Sequence, residues 1–257
     1  MHFTDRQRRE IFHFLFLEKL LKTSDSRLFV LKGGVNLRFF FKSPRYSEDM
    51  DLDVLGGSVA TLRKNGYRIL EDRAFQRSLQ TYGITRLETN DPARAKHTET
   101  TQRFRLRLIT ATGMALPTKV EFSRRRSDDP HRLELIDPAV AEPFRRLSFN
   151  CQHYTADSAF RQKVLALANR SQVQARDAFD IDILRRGGRI TPALTENIPA
   201  GDVERARMNL LSLDYLAYEG QVLDYLDPEL APEYRGEDAW NQLIERVLAL
   251  LETSADG

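Results

Sequence analysis

A single cysteine, Cys151, stands in 257 residues, which excludes an internal disulfide and any cysteine-built zinc cluster and agrees with a reducing compartment. Long apolar runs are also missing. Residues 11–17 form the longest strongly apolar stretch, and it is interrupted by His13 and far too short to span a bilayer. The opening MHFTDRQRRE lacks the pattern of a signal peptide, so the expected location is cytoplasmic, with no membrane partner. Charge of one sign is lacking as well: the net charge is +2, and no global field demands a polyanionic partner. Lysine is scarce, eight of 39 basic residues, so each lysine is more informative than an arginine; beyond Lys119 the only one is Lys163. The five histidines are scattered without metal-ligand spacing, and no Ser-His-Asp arrangement can be argued.

What is present centres on residues 32–53, KGGVNLRFFFKSPRYSEDMDLD. Alternate residues of a strand share a face, so Asp49 and Asp51 would project into one small volume while Met50, Leu52 and Val54 line the other side. Two carboxylates so placed repel each other unless a cation lies between them, and Mg²⁺, with Mn²⁺ as the alternative, suits a site completed by phosphate oxygens and water. Asp53, third in line, falls at the rim. An EF-hand is excluded, because its required glycine and glutamate positions hold Val54 and Ala60. The plainer reading is a solvated acidic strand end. Gly33-Gly34 alone indicates a tight strand-to-helix turn; beside the aspartates it also offers backbone N–H groups to nucleotide phosphates. No Gly-Lys-Ser/Thr follows, so this is not a Walker P-loop.

Around this stretch the pattern predicts a capping box at Thr4–Gln7, a buried helix over residues 11–21, a short strand over 28–31, a helix over 35–41 and a second strand carrying the aspartates. Residues 69–82 read as one helix and 89–100 as a mobile polar loop. Alternation then marks TQRFRLRLIT, with Arg103, Arg105 and Arg107 on one face, and residues 118–123, with Lys119, Glu121 and Ser123 on one face. Two antiparallel strands in a mixed sheet follow, and Glu121 becomes the candidate third carboxylate. The arginine face and Arg124–Arg126 could grip a phosphodiester backbone, or could be a solvated sheet face. Helices are expected over 160–169, 175–186 and 203–218, and a last one carrying Trp240, Leu243, Ile244, Val247, Leu248 and Leu251. Composition turns helical near residue 154. The fold class is therefore α+β: a small mixed sheet flanked by helices in residues 1–154, then a helical domain, residues 155–257, completing a cleft.

The pattern Gly-Gly, spacer, Ser-x-Asp-x-Asp resembles the signature of the DNA polymerase β-like nucleotidyltransferases. More closely, LKGGVNLRFFFKSPRYSEDMDLDV and the later FRQKVLALANRSQVQARDAFDIDIL resemble the two sequence blocks of the AbiEii (MenT-like) toxins of abortive-infection and toxin-antitoxin systems. The resemblance implies a metal-dependent enzyme that transfers NMP from an NTP to an acceptor hydroxyl, as family members do at the 3′ end of tRNA, opposed by a separately encoded antitoxin. It makes Asp49 and Asp51 metal ligands, Ser47, Gly33 and Gly34 triphosphate contacts, Lys163 a phosphate-binding lysine and Asp177 a carboxylate of the second block, with Arg45 and Arg170 at basic positions. Without it, Lys163 reads as a snorkelling surface lysine at a helix start, and Asp177 and Asp180 as partners of Arg176 and Arg185 along one helix. Two other functions stay open: transfer to a protein or small-molecule hydroxyl, and a catalytically silent NTP- or RNA-binding module.

Overall fold

A computed structural model describes residues 3–89, 98–124, 128–188, 190 and 192–252. The expected loop at 89–100 lies mostly outside them, as do Arg125 and Arg126. The described chain forms two compact units, residues 1–40 with 46–153 and residues 41–45 with 154–257.

The first unit opens with α1 (Asp5–Thr23), entered through the predicted capping box: Thr4 accepts from the Gln7 amide, and the Gln7 side chain accepts from the Thr4 amide. Residues 11–17 are buried on every side, so α1 is the axis of this unit's core, with Phe12 and Phe16 against Phe75 and Phe14 against Phe39 and Phe149. β1 (Phe29–Lys32) runs into α2 (Gly33–Phe40), and β2 (Asp49–Val54) returns antiparallel to β1. A further helix, α3 (Val59–Glu71), follows largely over residues where none was expected, and the helix expected over 69–82 is found after it as α4 (Arg73–Gln80). α3 ends and α4 begins at Asp72, whose carboxylate accepts from the Phe75 amide at 2.7 Å and so starts a new helix.

β3 (Ile84–Thr89), β4 (Thr101–Thr110), β5 (Ala115–Ser123) and β6 (His131–Leu135) precede α5 (Pro138–Ala141) and β7 (Asn150–Tyr154). The sheet has seven strands in the order β3-β4-β5-β2-β1-β7-β6. β4 and β5 are antiparallel, as the alternation required, while β2 pairs with β5 and β1 with β7 in parallel, so the sheet is mixed. Buried His13 fixes this framework from α1. Thr118 donates its hydroxyl to the Glu48 carbonyl at 2.6 Å, which leaves the His13 Nε2–H to donate to Thr118 Oγ1 at 2.9 Å. Burial holds that imidazole neutral, its pKa lowered to about 3 with Arg9 adding to the effect.

α3 approaches β4 closely at Gly66. A Cβ there would overlap Cζ of Phe104 and lie 2.8 Å from its Cε1, and that ring is confined by Tyr67 and Phe122 at centroid distances of 5.0 and 5.9 Å. Alanine improves helix propensity by about 1 kcal/mol, but the overlap costs about 1–3 kcal/mol and the ring has nowhere to retreat. Gly66→Ala is therefore expected to lower the chemical denaturation midpoint. A higher midpoint would show that the interface relaxes freely.

The second unit is helical: α6 (Ala156–Asn169), α7 (Ala175–Arg186), α8 (Ala200–Leu211), α9 (Tyr215–Gln221) and α10 (Glu237–Glu252). The single helix expected over 203–218 is two, because the Asp214 carboxylate accepts from the Ala217 amide at 2.8 Å and opens α9. Lys163 lies in the middle of α6, not at its start. Trp240, Leu243, Val247 and Leu251 are buried along α10, and Tyr218 stacks on Trp240 at 4.8 Å. Among the described residues no helix is long and apolar enough to cross a membrane.

Candidate active site

Strand register builds the first charged cluster. Asp51 pairs with Glu121 on β5 and Lys32 on β1, Glu121 with Arg103 on β4, and Asp49 with Lys119, itself opposite Arg105. Two polar rows therefore cross the sheet, one along Arg103–Glu121–Asp51–Lys32 and the next along Arg105–Lys119–Asp49. The Lys119 ammonium stands among the carboxylates, 3.3 Å from Asp49 Oδ2 and 3.9 Å from both Asp51 Oδ1 and Glu121 Oε2. The other Asp49 oxygen accepts from the Lys119 backbone amide at 3.1 Å.

The electrostatics of this cluster are uneven. Desolvation raises the Asp51 carboxyl above the usual carboxylate range; Asp49 and Glu121 push the same way, against Lys119 and Lys32. Desolvation also acts upward on Glu121, yet the Arg103 hydrogen bond at 2.6 Å and the Lys119 charge outweigh it and hold that carboxyl low. Glu121 thus sits beside Asp51 as alternation suggested, with its carboxylate committed to Arg103. Among the described residues no three His, Cys, Asp or Glu side chains are placed to hold a metal ion. Asp53, expected at the rim, is buried and paired at 2.5 Å with Lys32, the lysine that also stands opposite Asp51.

The glycine turn borders the same carboxylates. Gly33 has φ +70°, and a Cβ built on it would fall 3.3 Å from Asp51 Oδ2, so both conformation and proximity call for glycine. Gly34 continues the first turn of α2. Ser47 donates its hydroxyl to the Asp49 carbonyl at 2.8 Å, which shapes the entry to β2.

The second unit holds its own charged cluster. Lys163 contacts Asp177 at 2.9 Å and Asp180 at 2.6 Å, and its side chain is only 12% exposed, which removes the snorkelling reading. Arg45 clasps Asp180 through Nη2 at 2.9 and 3.0 Å and is itself buried, while Arg170 reaches Asp177 at 2.7 Å and stays 40% exposed. The carboxylates therefore pair across the unit with Lys163, Arg45 and Arg170, where Arg176 and Arg185 along α7 were the simpler expectation. Desolvation works against the charged forms of Asp177 and Lys163, and the opposite charges prevail: Asp177 is lowered by Lys163 and Arg170, and Lys163 is raised by Asp177 and Asp180.

Sequence reasoning missed two features. Strand alternation places Lys119 on a polar face and says no more, though its rarity as a lysine two residues from Glu121 was the available signal. Asp182, buried on α7 and held by Arg246 through two contacts of 2.8 Å, carried no signal, since its partner lies 64 residues away.

The sequence matches the family model described as nucleotidyl transferase AbiEii toxin, type IV toxin-antitoxin system, over residues 15–256. The chain belongs to the AbiEii nucleotidyltransferase toxin family. It is a nucleotidyltransferase by that membership, and a type IV system implies a cognate antitoxin. No curated protein matches the sequence. Among solved structures, MenT4, a nucleotidyltransferase toxin from Mycobacterium tuberculosis, shares the fold with TM-score 0.59 and 16% identity, covering 96% of this chain and 84% of its own. JHP933 from Helicobacter pylori does so with TM-score 0.56 and 16% identity, over 99% and 97% of the two chains.

Members of this family use an NTP and a divalent metal, and the residues present fit that pairing. Asp49 and Asp51 offer hard oxygen donors, and an ammonium already stands where their charge demands a cation. Lys119→Met keeps the aliphatic stem and removes that charge. The expected result in chelator is a loss of about 1–2 kcal/mol, read by thermal melting, that shrinks when Mn²⁺ is added. Equal melting of both proteins in chelator would show that Lys119 does not compensate the carboxylates.

Proposed function

We propose that this chain transfers NMP from an NTP to the 3′ hydroxyl of an RNA acceptor, with tRNA the acceptor suggested by the family resemblance, and that it works in the cytoplasm where both substrates are found. The supporting observation is the Asp49–Asp51 pair, compensated by Lys119 and bordered by the Gly33 turn. Asp49 and Asp51 are the residues that would hold Mg²⁺, which when bound would supply charge neutralisation at the reacting phosphate. Glu121, kept by Arg103, is assigned to the rim of the set and not to its centre.

The chain's own groups do the rest. Backbone N–H groups of Gly33 and Gly34, at the positive end of α2, receive phosphate oxygens, and no side chain at either position obstructs them. Ser47 supports Asp49 through its carbonyl. Within the second unit, the family resemblance makes Lys163, held charged by its two aspartates, a phosphate-binding lysine, with Asp177 orienting it and Arg170 on the exposed rim of that cluster. Arg45 is assigned to holding Asp180.

The test is incubation with each labelled NTP, Mg²⁺ and total tRNA. Labelled RNA from the wild-type protein and none from Asp51→Ala is the expected result. Label in protein would transfer the reading to a protein acceptor. NTP binding without pyrophosphate release would favour a silent binding module. Toxicity on expression should disappear in Asp49→Ala.

A further inference from the structure

We propose that the cavity on the β4–β5 side of Asp49 is an acceptor subsite that takes the phosphodiester backbone of a single-stranded RNA end. This rests on the nucleotidyl-transfer reading and adds the side from which the acceptor arrives. The cavity is about 320 Å³, and Asp49, Lys119, Arg105, Arg107 and Pro117 are among its lining residues. One end of the opening is thus the carboxylate that serves the reaction, and the other carries guanidinium groups.

Register explains this placement. Arg105 and Arg107 are two residues apart on β4, so they share a face and stand about 7 Å apart along the strand. Arg105 lies in the same cross-strand row as Lys119 and Asp49; Arg107 lies one row farther out, opposite Pro117. Arg105 is exposed and makes no ion pair among the described residues, a state that costs nothing in water and leaves its donors available. Arg107 contacts Glu88 at 2.9 Å with 63% of its side chain exposed, an arrangement weak enough to yield to a phosphate. Glu48, also in the lining, faces Arg9 at 3.9 Å. Guanidinium pairs on one strand face suit successive phosphates of one chain, since each can grip its oxygens through two parallel donors.

Direction of attack distinguishes acceptor from triphosphate. In-line displacement puts the incoming hydroxyl and the leaving group on opposite sides of the phosphorus. Gly33 and the N-terminus of α2 adjoin Asp51 from the β1 side, whereas the cavity opens from Asp49 toward β5 and β4. With the leaving phosphates on the glycine side, the acceptor strand approaches over Arg107 and Arg105.

The test uses the full chain and a short, fluorescently labelled single-stranded RNA with a free 3′ hydroxyl. Binding is measured over a salt series without NTP, and KM for RNA and for NTP is measured in turnover. Arg105→Ala and Arg107→Ala, both at exposed positions, should each weaken RNA binding about fivefold and flatten the log–log salt slope by about 0.7 per lost contact. KM for RNA should rise while KM for NTP stays put. A rise confined to the NTP KM would assign the cavity to the triphosphate and overturn the proposal. So would unchanged RNA binding in the double variant, or no RNA binding by wild type. RNA binding with the expected slope changes but no labelled RNA would uphold the subsite and reject the transfer reading.

Discussion

Asp51→Asn is expected to lower nucleotidyl transfer about a thousandfold or more while raising the melting temperature at neutral pH. On the proposed assignment, the catalytic loss follows from removing one of the two oxygen donors that would hold the metal's positive charge at the reacting phosphate, an effect worth several kcal/mol, with each 1.36 kcal/mol a factor of about ten. The stability gain follows from the raised Asp51 carboxyl. A carboxyl raised on folding contributes stability that is present below its unfolded value of 3.8 and lost as pH rises through the folded value, so ionised Asp51 is a burden at neutral pH. Asparagine fills the same volume without the charge. The stability difference should therefore vanish below the ordinary carboxylate range. Pyrophosphate release and thermal melting across a pH series measure the two effects separately. An active Asn variant would reject the metal assignment; an inactive one that melts lower at neutral pH would show that Lys119 and Lys32 outweigh desolvation at this site.

The contrast between those two readouts reflects what a sequence encodes locally and what it does not. The capping box at Thr4, the alternation of Arg103–Arg107 and of Lys119–Ser123, and the opposed faces of β2 were legible because each depends on residues a few positions apart. Gly33 was legible as a turn; its proximity to Asp51 required the β1–β2 register. β6 was not legible, because an edge strand with both faces largely exposed carries no hydrophobic period, and β3 alternates little for the same reason. Helix boundaries at Asp72 and Asp214 were lost to uninterrupted apolar spacing, although each aspartate is an ordinary capping residue. The position of Lys119 among three carboxylates depends on strands β2 and β5 lying parallel, 70 residues apart in sequence. Cross-chain pairings of this kind have no local period to betray them.

The same limit governs the second large effect, because Arg45 and Asp180 are separated by 135 residues. Asp180→Ala is expected to destabilise the helical unit by about 3–5 kcal/mol, since it removes the carboxylate that clasps the buried Arg45 guanidinium and one of two carboxylates from Lys163. The two partners lie at 5% and 0% side-chain exposure, so water cannot take the place of the lost acceptor. Replacing the pair together, Arg45→Met with Asp180→Leu, should recover much of that loss, because the cost of a buried ion pair lies largely in desolvating it. Lys163 then keeps Asp177 alone. The linked titrations have definite signs. Lowered Asp177 contributes stability above its unfolded 3.8 that is lost as pH falls through the folded value, and raised Lys163 contributes stability below 10.5 that is lost as pH rises through its folded value. The cluster should accordingly hold across the whole neutral range and fail at both extremes. Denaturant unfolding of the single and double variants between those limits measures the coupling. A loss under about 1 kcal/mol in Asp180→Ala would mean that Arg45 finds another acceptor. A double variant that regains stability but loses transfer would establish that the buried charges are kept for the chemistry of Lys163 and not for the fold.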